Sequence, residues 1–335
     1  MKKARFWNQP CPNKNCKCHG QINAGNISCI STYMTKSGKR RIFQCKSCGQ
    51  QFSETRDTVF FDLRTPKENR SGALTRVMMA LKMILVQVSL SGISFVLGIK
   101  EETILNWLDR ASQKAEEINQ VLLKDLPVTE VQLDEMWSFV RRKISKQAEG
   151  GMESPQEADD GRQWIWVSYA PEFRLILAMV AGPRTFETAL TLIQMTARIV
   201  LGIPCFFSDG FSCYMRALIE SYHKIKVFPK TGKRGRPKDP IKEPHPDLVY
   251  GQVIKERKGS RIIGVTYRIK CGTKRLAQLG LKISTTLLER LNLTLRQSLA
   301  PLARKTLGFS KERKNLRKQI VFFHAFWDGS LRCDI

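Results

Sequence analysis

A strand-like run, EVQLDEMWSFVRRK from Glu130 to Lys143, carries two acids, Asp134 and Glu135, in its middle. Val131, Leu133, Met136, Trp137, Phe139 and Val140 give it the apolar and aromatic content of a strand that packs in a core. A carboxylate buried in a sheet is strongly destabilising unless it is paired or bound to a metal. Any fold built on this strand must therefore supply a partner for the acids. Side-chain alternation sends Asp134 and Glu135 to opposite faces, so one of them, Asp134, is expected to face a site.

Two more acids stand at comparable positions. In IPCFFSDGFSCY an apolar run ends at Ser208, and Asp209 follows it just before Gly210. In STTLLERLNLTLRQSL a helix is predicted to start near Ser284 or Thr285, with Glu289, Asn292 and Arg296 at i, i+3 and i+7 on one face. Two strand acids and one helix acid fit a site that assembles in space. Three such oxygen donors can hold a pair of Mg²⁺ (or Mn²⁺) ions roughly 3.5–4 Å apart. Taken singly, Asp209-Gly210 also reads as a turn and Glu289 as a solvated helix face.

Four compositional regions surround these acids. Residues 1–55 are Cys-rich and polar, and residues 70–125 have the three-to-four-residue apolar spacing of helices. Residues 128–228 alternate strand-like and helix-like segments. From 229 to 282 a Pro/Gly/Lys run leads into two strand-like pieces, and the remainder is helical and basic. The acidic stretch 147–161 has the composition of a loop between two strands. The expected domains are thus 1–55, 70–125 and 128–320, the last interrupted by a basic insertion at 229–282.

The front region holds CPNKNC (Cys11, Cys16) and CKSC (Cys45, Cys48), a C-x4-C and a C-x2-C separated by 28 residues. Two thiolate pairs on tight knuckles are what a tetrahedral Zn²⁺ needs in a small domain lacking a core. Cys18 can replace Cys16 as the second ligand. In FQCKSCGQQF, Gly49 follows the last ligand and an aromatic residue is placed to pack beneath the knuckle. Next, LSGISFVLGIKEETILNWLDRAS (90–112) reads as a helix, a turn at Gly98 and a second helix, either an ordinary helical hairpin or a DNA-binding helix-turn-helix. Ile93, Val96 and Leu97 are expected to face Ile99, Ile104 and Leu108. That leaves Thr103, Asn106, Asp109 and Arg110 outward, where a recognition helix meets DNA.

Charge favours the DNA reading. The 335 residues include 56 Lys+Arg against 30 Asp+Glu, a net charge of +26, and 42% of them are hydrophobic. Such a chain can bury a core while attracting polyanions, nucleic acid first among them. The basic residues are spread along the chain rather than gathered on one amphipathic helix, which argues against a membrane surface. The apolar window 77–99 is interrupted by Lys82, Gln87 and several Ser and Gly residues, so no membrane span is read there. MKKARFWNQPCPNK is followed by no apolar core, so no signal peptide is read, and ten cysteines in that setting point to a reducing compartment, the cytoplasm.

The segments LDEMWSFV, SDGFSCY and ERLNLTLRQSLAPLARKTLGFSK resemble transposases of the insertion-sequence-one (IS-one) family and its close prokaryotic relatives. The front end is similar too, through CPNKNC, GNI, CKSCGQQFSETR and LGIKEETILNWL, so the resemblance covers nearly the whole chain. It implies an α/β, ribonuclease-H-like catalytic core behind a zinc-binding domain and a helical helix-turn-helix domain. It also implies a DDE triad carried over to Asp134, Asp209 and Glu289, and binding to the terminal inverted repeats of a mobile element. The implied partners are double-stranded DNA, both element ends and target, and further copies of the chain in a homodimer or higher oligomer, associated with the nucleoid of a prokaryote. KTGKRGRPKDP resembles an AT-hook, with Arg234 and Arg236 suited to a narrow minor groove; a solvated basic loop is the alternative. Arg296, with Thr103, Asn106 and Arg110, completes the expected DNA contacts.

The expected activity is metal-dependent cleavage of a phosphodiester at an element end, followed by in-line attack of the freed 3′-OH on target DNA. The alternatives are a DNA-binding regulator with an inert core and a metal-dependent nuclease on the same fold.

Overall fold

The computed structural model describes residues 9–35, 38–56, 58, 60, 70–141, 161–228, 239–259 and 261–332. The AT-hook-like residues Arg234 and Arg236, and nearly all of the acidic stretch 147–161, lie outside them. The chain divides into two compact units, one of residues 1–83 with 90–114 and one of residues 84–89 with 115–335.

In the first unit, β1 (Ile27–Thr35), β2 (Gly38–Cys45) and β3 (Gln51–Ser53) form an antiparallel sheet in that order. Its small core consists of Ile27, Phe43 and Phe52 packed with Cys11, Cys16 and Cys45. The Phe52 ring lies 5.9 Å from that of Phe43, the aromatic floor expected beneath the knuckle. Three helices follow, α1 (Arg70–Ile84), α2 (Leu90–Leu97) and α3 (Glu101–Leu122). The window 77–99 is thus split between two helices, and among the described residues no helix is long and apolar enough to cross a membrane.

α2 ends because Gly98 adopts φ 63°, a left-handed conformation that glycine takes without strain. The Ile99 N–H then donates to the Ser94 carbonyl across the helix end. α3 restarts at Lys100, whose carbonyl accepts from Thr103 and Ile104, and Glu101 and Glu102 favour the positive end of the new helix. Ile93, Ile104 and Leu108 are fully buried. Val96 is not: it is 59% exposed, beside the still more exposed Phe95, so the α2 surface turned inward is narrower than its apolar sequence suggests.

The second unit is a mixed α/β arrangement around a six-stranded mixed sheet. Its strands are β4 (Glu130–Val140), β5 (Gly161–Ala170), β6 (Leu175–Gly182), β7 (Cys205–Ser208), β10 (Val249–Lys258) and β11 (Arg261–Cys271). The spatial order is β11-β10-β7-β4-β5-β6. β4, β5 and β6 form an antiparallel meander, β7 and β10 run parallel to β4, and β11 turns back along the edge. A separate pair, β8 (His223–Lys226) and β9 (Ile241–Pro244), lies outside this sheet.

Both sheet faces are covered. Val131 and Leu133 of β4, with Trp166, Phe206 and Tyr250, pack against α4 (Phe186–Ala197) and α5 (Cys213–Ser221). Met136 and Val140, with Ile165, Val167 and Ile176, pack against α7 (Thr286–Ser298) and α8 (Arg313–Arg332). The period of two in the sequence of β4 therefore serves two cores, which explains a strand apolar on both sides. Edge strand β6 is covered by α8, where the Asp328 carboxylate accepts the Ile176 N–H and His324 hydrogen-bonds the Ile176 carbonyl.

The 229–282 segment needs a correction. It is not only an insertion: VYGQV within it forms the start of β10, which pairs with β7 as an interior strand of the main sheet, and α6 (Thr273–Leu279) follows β11.

Candidate nucleic-acid and metal sites

The knuckles bring four sulfurs together. The Sγ atoms of Cys11, Cys16, Cys45 and Cys48 all lie within 4.8 Å of one another, with Cys11–Cys48 at 3.7 Å and Cys16–Cys45 at 3.9 Å. A zinc tetrahedron with Zn–S bonds of about 2.3 Å spaces its sulfurs about 3.8 Å apart, so the set fits Zn²⁺. Cys16 is the second member of the group. Cys18 points instead to the Ser47 hydroxyl, and its backbone N–H donates to the Cys16 sulfur.

The second knuckle is tight because the Gly49 N–H returns to the Cys45 carbonyl with Gly49 at φ 72°. Burial opposes ionisation of Cys45, but hydrogen bonds from the Asn26 side chain and from the backbone of Cys48 and Ser47 hold its thiol down at about 6. Asn26, the middle residue of GNI, is thus a buried supporting donor that the cysteine spacing alone did not reveal. On α3, Asn106 and Arg110 are exposed, while Thr103 and Asp109 are half-buried.

The second unit builds a carboxylate site at the end of two parallel strands. The last pair between β4 and β7 is Leu133 with Ser208, so Asp134 and Asp209 are the next residue on each strand. Past this point β4 has no β7 neighbour, and the sheet opens beside it. The carboxylates of Asp134, Glu135 and Asp209 lie within 4.8 Å of one another.

Glu135 corrects the expectation from alternation. Its Cβ leaves the strand on the α4/α5 face, but its longer side chain shares the group formed by the two aspartates. There the Arg184 guanidinium pairs with Oε1 and the Tyr214 hydroxyl donates to Oε2 at 3.0 Å. Arg184 in turn stacks over Trp164 at 4.7 Å and Phe211 at 4.4 Å.

α7 closes the other side. The Leu288 N–H donates to Gln132 Oε1 at 3.0 Å, two residues before Asp134 on the same face of β4, which seats the helix on the strand. Asn292 then donates Nδ2 to Asp134 Oδ2 at 2.6 Å. Thr285 is the residue before the helix, but its hydroxyl reaches the Glu289 carboxylate at 2.8 Å rather than a backbone N–H. Glu289 stands outside the tight group of three and forms an ion pair with Lys255 of β10. Arg296, one turn beyond Asn292, donates to the Leu302 carbonyl at 3.1 Å.

Clustered acids repel. Burial, then the charges of Glu135, Asp209 and Glu289, push the Asp134 carboxyl up to about 7. Glu135 is raised as well, by burial and then Asp209, against the lowering effect of Arg184 and Tyr214. An all-oxygen donor set carrying this much negative charge suits a hard divalent cation such as Mg²⁺ or Mn²⁺. The Asn292 side-chain oxygen is buried without a hydrogen-bond partner, while its amide nitrogen holds Asp134.

No protein-family model and no curated protein matches the chain. Among solved structures it is similar to the Mos1 strand transfer complex, at 14% identity over 44% of this chain and 54% of that one, with a TM-score of 0.17. It is also similar to the Mos1 mariner paired-end complex with Mn, at 12% identity over 40% and 52%, TM-score 0.18. A third match is the Mos1 transposase paired-end complex with left transposon end, at 13% identity over 44% and 56%, TM-score 0.18. The chain spans about half the length of these matches. A likeness this loose supports no conclusion about activity.

Proposed function

We propose that the chain is a DNA transposase of the DDE type, of the insertion-sequence-one family or a close prokaryotic relative. Asp134, Asp209 and Glu289 would be its catalytic acids. The observation that carries this reading is the convergence of carboxylates from β4 and β7, faced by Glu289 and Asn292 of α7, in a chain of net charge +26. The strand order β6-β5-β4-β7-β10, a meander followed by two parallel strands, supports a ribonuclease-H-like core.

Asp134, Asp209 and Glu289 would hold Mg²⁺ or Mn²⁺, which when bound supply Lewis-acid stabilisation of the attacking and leaving oxygens. Asn292 fixes the orientation of Asp134. Arg184 and Tyr214 hold Glu135 in place, as positioning residues behind the aspartates. Lys255 pairs with Glu289, and that ion pair would have to open for the carboxylate to hold a cation. Cys11, Cys16, Cys45 and Cys48 would hold one structural Zn²⁺, and Thr103, Asn106, Arg110 and Arg296 would meet the phosphates and bases of element ends. The cleavage step hydrolyses one phosphodiester, and the 3′-OH released attacks a second in line, so one bond forms for each bond broken.

The test is a strand-transfer assay with labelled DNA ends taken from the sequence flanking the gene. Joined products in Mg²⁺ or Mn²⁺ support the transposase. Products that are only cut would make the chain a nuclease, and binding without cutting a regulator.

A further inference from the structure

The catalytic reading leaves the β10–β11 hairpin without a role beyond Lys255. β7 stops at Ser208, so β10 has a neighbour on that side only as far as Gln252. From Ile254 to Lys258 the strand continues with β11 alone, beyond the end of the sheet where Asp134 and Asp209 stand. β11 is an edge strand of the sheet.

Directly opposed residues of an antiparallel pair share a face. Lys255 opposes Val265 and Val253 opposes Tyr267, so Val265 and Tyr267 lie on the face from which Lys255 reaches Glu289. Val253 is buried there, but Tyr267 is 61% exposed and Val265 and the neighbouring Ile263 are exposed as well. The outer end of the hairpin presents Arg257, Lys258 and Arg261, all exposed, against the one acid Glu256. A row of apolar side chains left exposed on an edge strand is an aggregation hazard unless a partner covers it. The adjoining cations select a polyanion over a second copy of a chain that already carries +26.

We propose that this hairpin face seats a single-stranded stretch of DNA beside the phosphodiester at the carboxylates. Arg257, Lys258 and Arg261 neutralise phosphates, and the Tyr267 ring stacks on a base. The assignment of DNA to this surface rests on the transposase reading, but binding at the hairpin needs no cleavage.

The experiment uses the full chain in chelator, with fluorescence anisotropy on a labelled dT oligonucleotide of about 12 nucleotides and on a mixed-sequence duplex, across a range of salt. Tyr267→Ala is expected to weaken the oligonucleotide by about 5- to 150-fold, the range for losing one base stack, while the duplex changes by less than about twofold. Tyr267→Phe keeps the affinity. Replacing Arg257, Lys258 and Arg261 together by Ala lowers the log–log salt slope for the oligonucleotide by about 2. The proposal is overturned if Tyr267→Ala binds the oligonucleotide as wild type does, if strand and duplex lose affinity equally, or if the variant instead abolishes self-association in sedimentation. Asp134→Asn, run in parallel, separates the two ideas: full cleavage by that variant would sink the carboxylate reading and leave the hairpin result standing.

Discussion

At the scale of single residues, Asp134 is a carboxylate kept in place against its own chemistry. Its folded-state value of about 7 lies above the ordinary 3.8, so the folded chain binds a proton more tightly than the unfolded chain. That contribution to stability is fully present below the ordinary value and is lost as pH rises through about 7. In chelator, wild type should therefore lose stability relative to Asp134→Asn between about pH 4 and 7, by roughly 1–4 kcal/mol. Thermal melts of the two proteins across that range check it, and parallel curves would refute it. Glu135→Gln, expected to be silent from alternation alone, should instead lower cleavage by about 10- to 100-fold, as loss of a supporting group does. A variant with wild-type turnover would show that the Arg184–Glu135–Tyr214 cluster only packs. The acids were legible in the sequence because charge stands out in an apolar run. Their supporters were not: Arg184 and Tyr214 come from the connection between β6 and α4 and from α5, and nothing local in GPRTF or SCYM signals an ion pair made across the sheet.

At the scale of elements, each site depends on a local device. In the front unit the device is the cysteine cluster, three of whose members belong to the small core. Cys45→Ser should release about one zinc per chain and unfold the β1–β3 sheet while the second unit stays folded. Zinc content and tryptophan-independent probes of the sheet, such as amide exchange, check this; unchanged zinc would refute the ligand set. In the second unit the device is close packing under the lead-in to α7. A Cβ on Gly251 of β10 would stand 2.8 Å from Ile283 Cδ1 and 3.1 Å from Phe207 Cδ1. Gly251→Ala should cost about 1–3 kcal/mol, measured by urea unfolding, with Ile283→Val recovering part of the loss. An equally stable variant would mean that the loop before α7 yields freely. Periodicity made the helices and β4 readable. It could not show that β10 joins β7, because that pairing closes across some forty residues and depends on tertiary contacts. It also overextended the apolar face of α2, where Val96 lies outward.

At the scale of the whole molecule, a strongly basic chain holds three carboxylates, those of Asp134, Glu135 and Asp209, close together at one sheet end, where they would otherwise repel the phosphates that the rest attracts. On the proposed reading, Asp134, Asp209 and Glu289 would hold divalent cations that offset this repulsion. The most direct measurement is cleavage of labelled DNA ends in Mn²⁺ by wild type, Asp134→Asn, Asp209→Asn and Glu289→Gln, with folding and metal-free DNA binding recorded for each. Each variant should remain folded and bind DNA at least as well as wild type, having lost one negative charge. Each should lose cleavage by orders of magnitude, with double variants scarcely worse than single ones. A folded Asp134→Asn that still cuts at the wild-type rate would contradict the account.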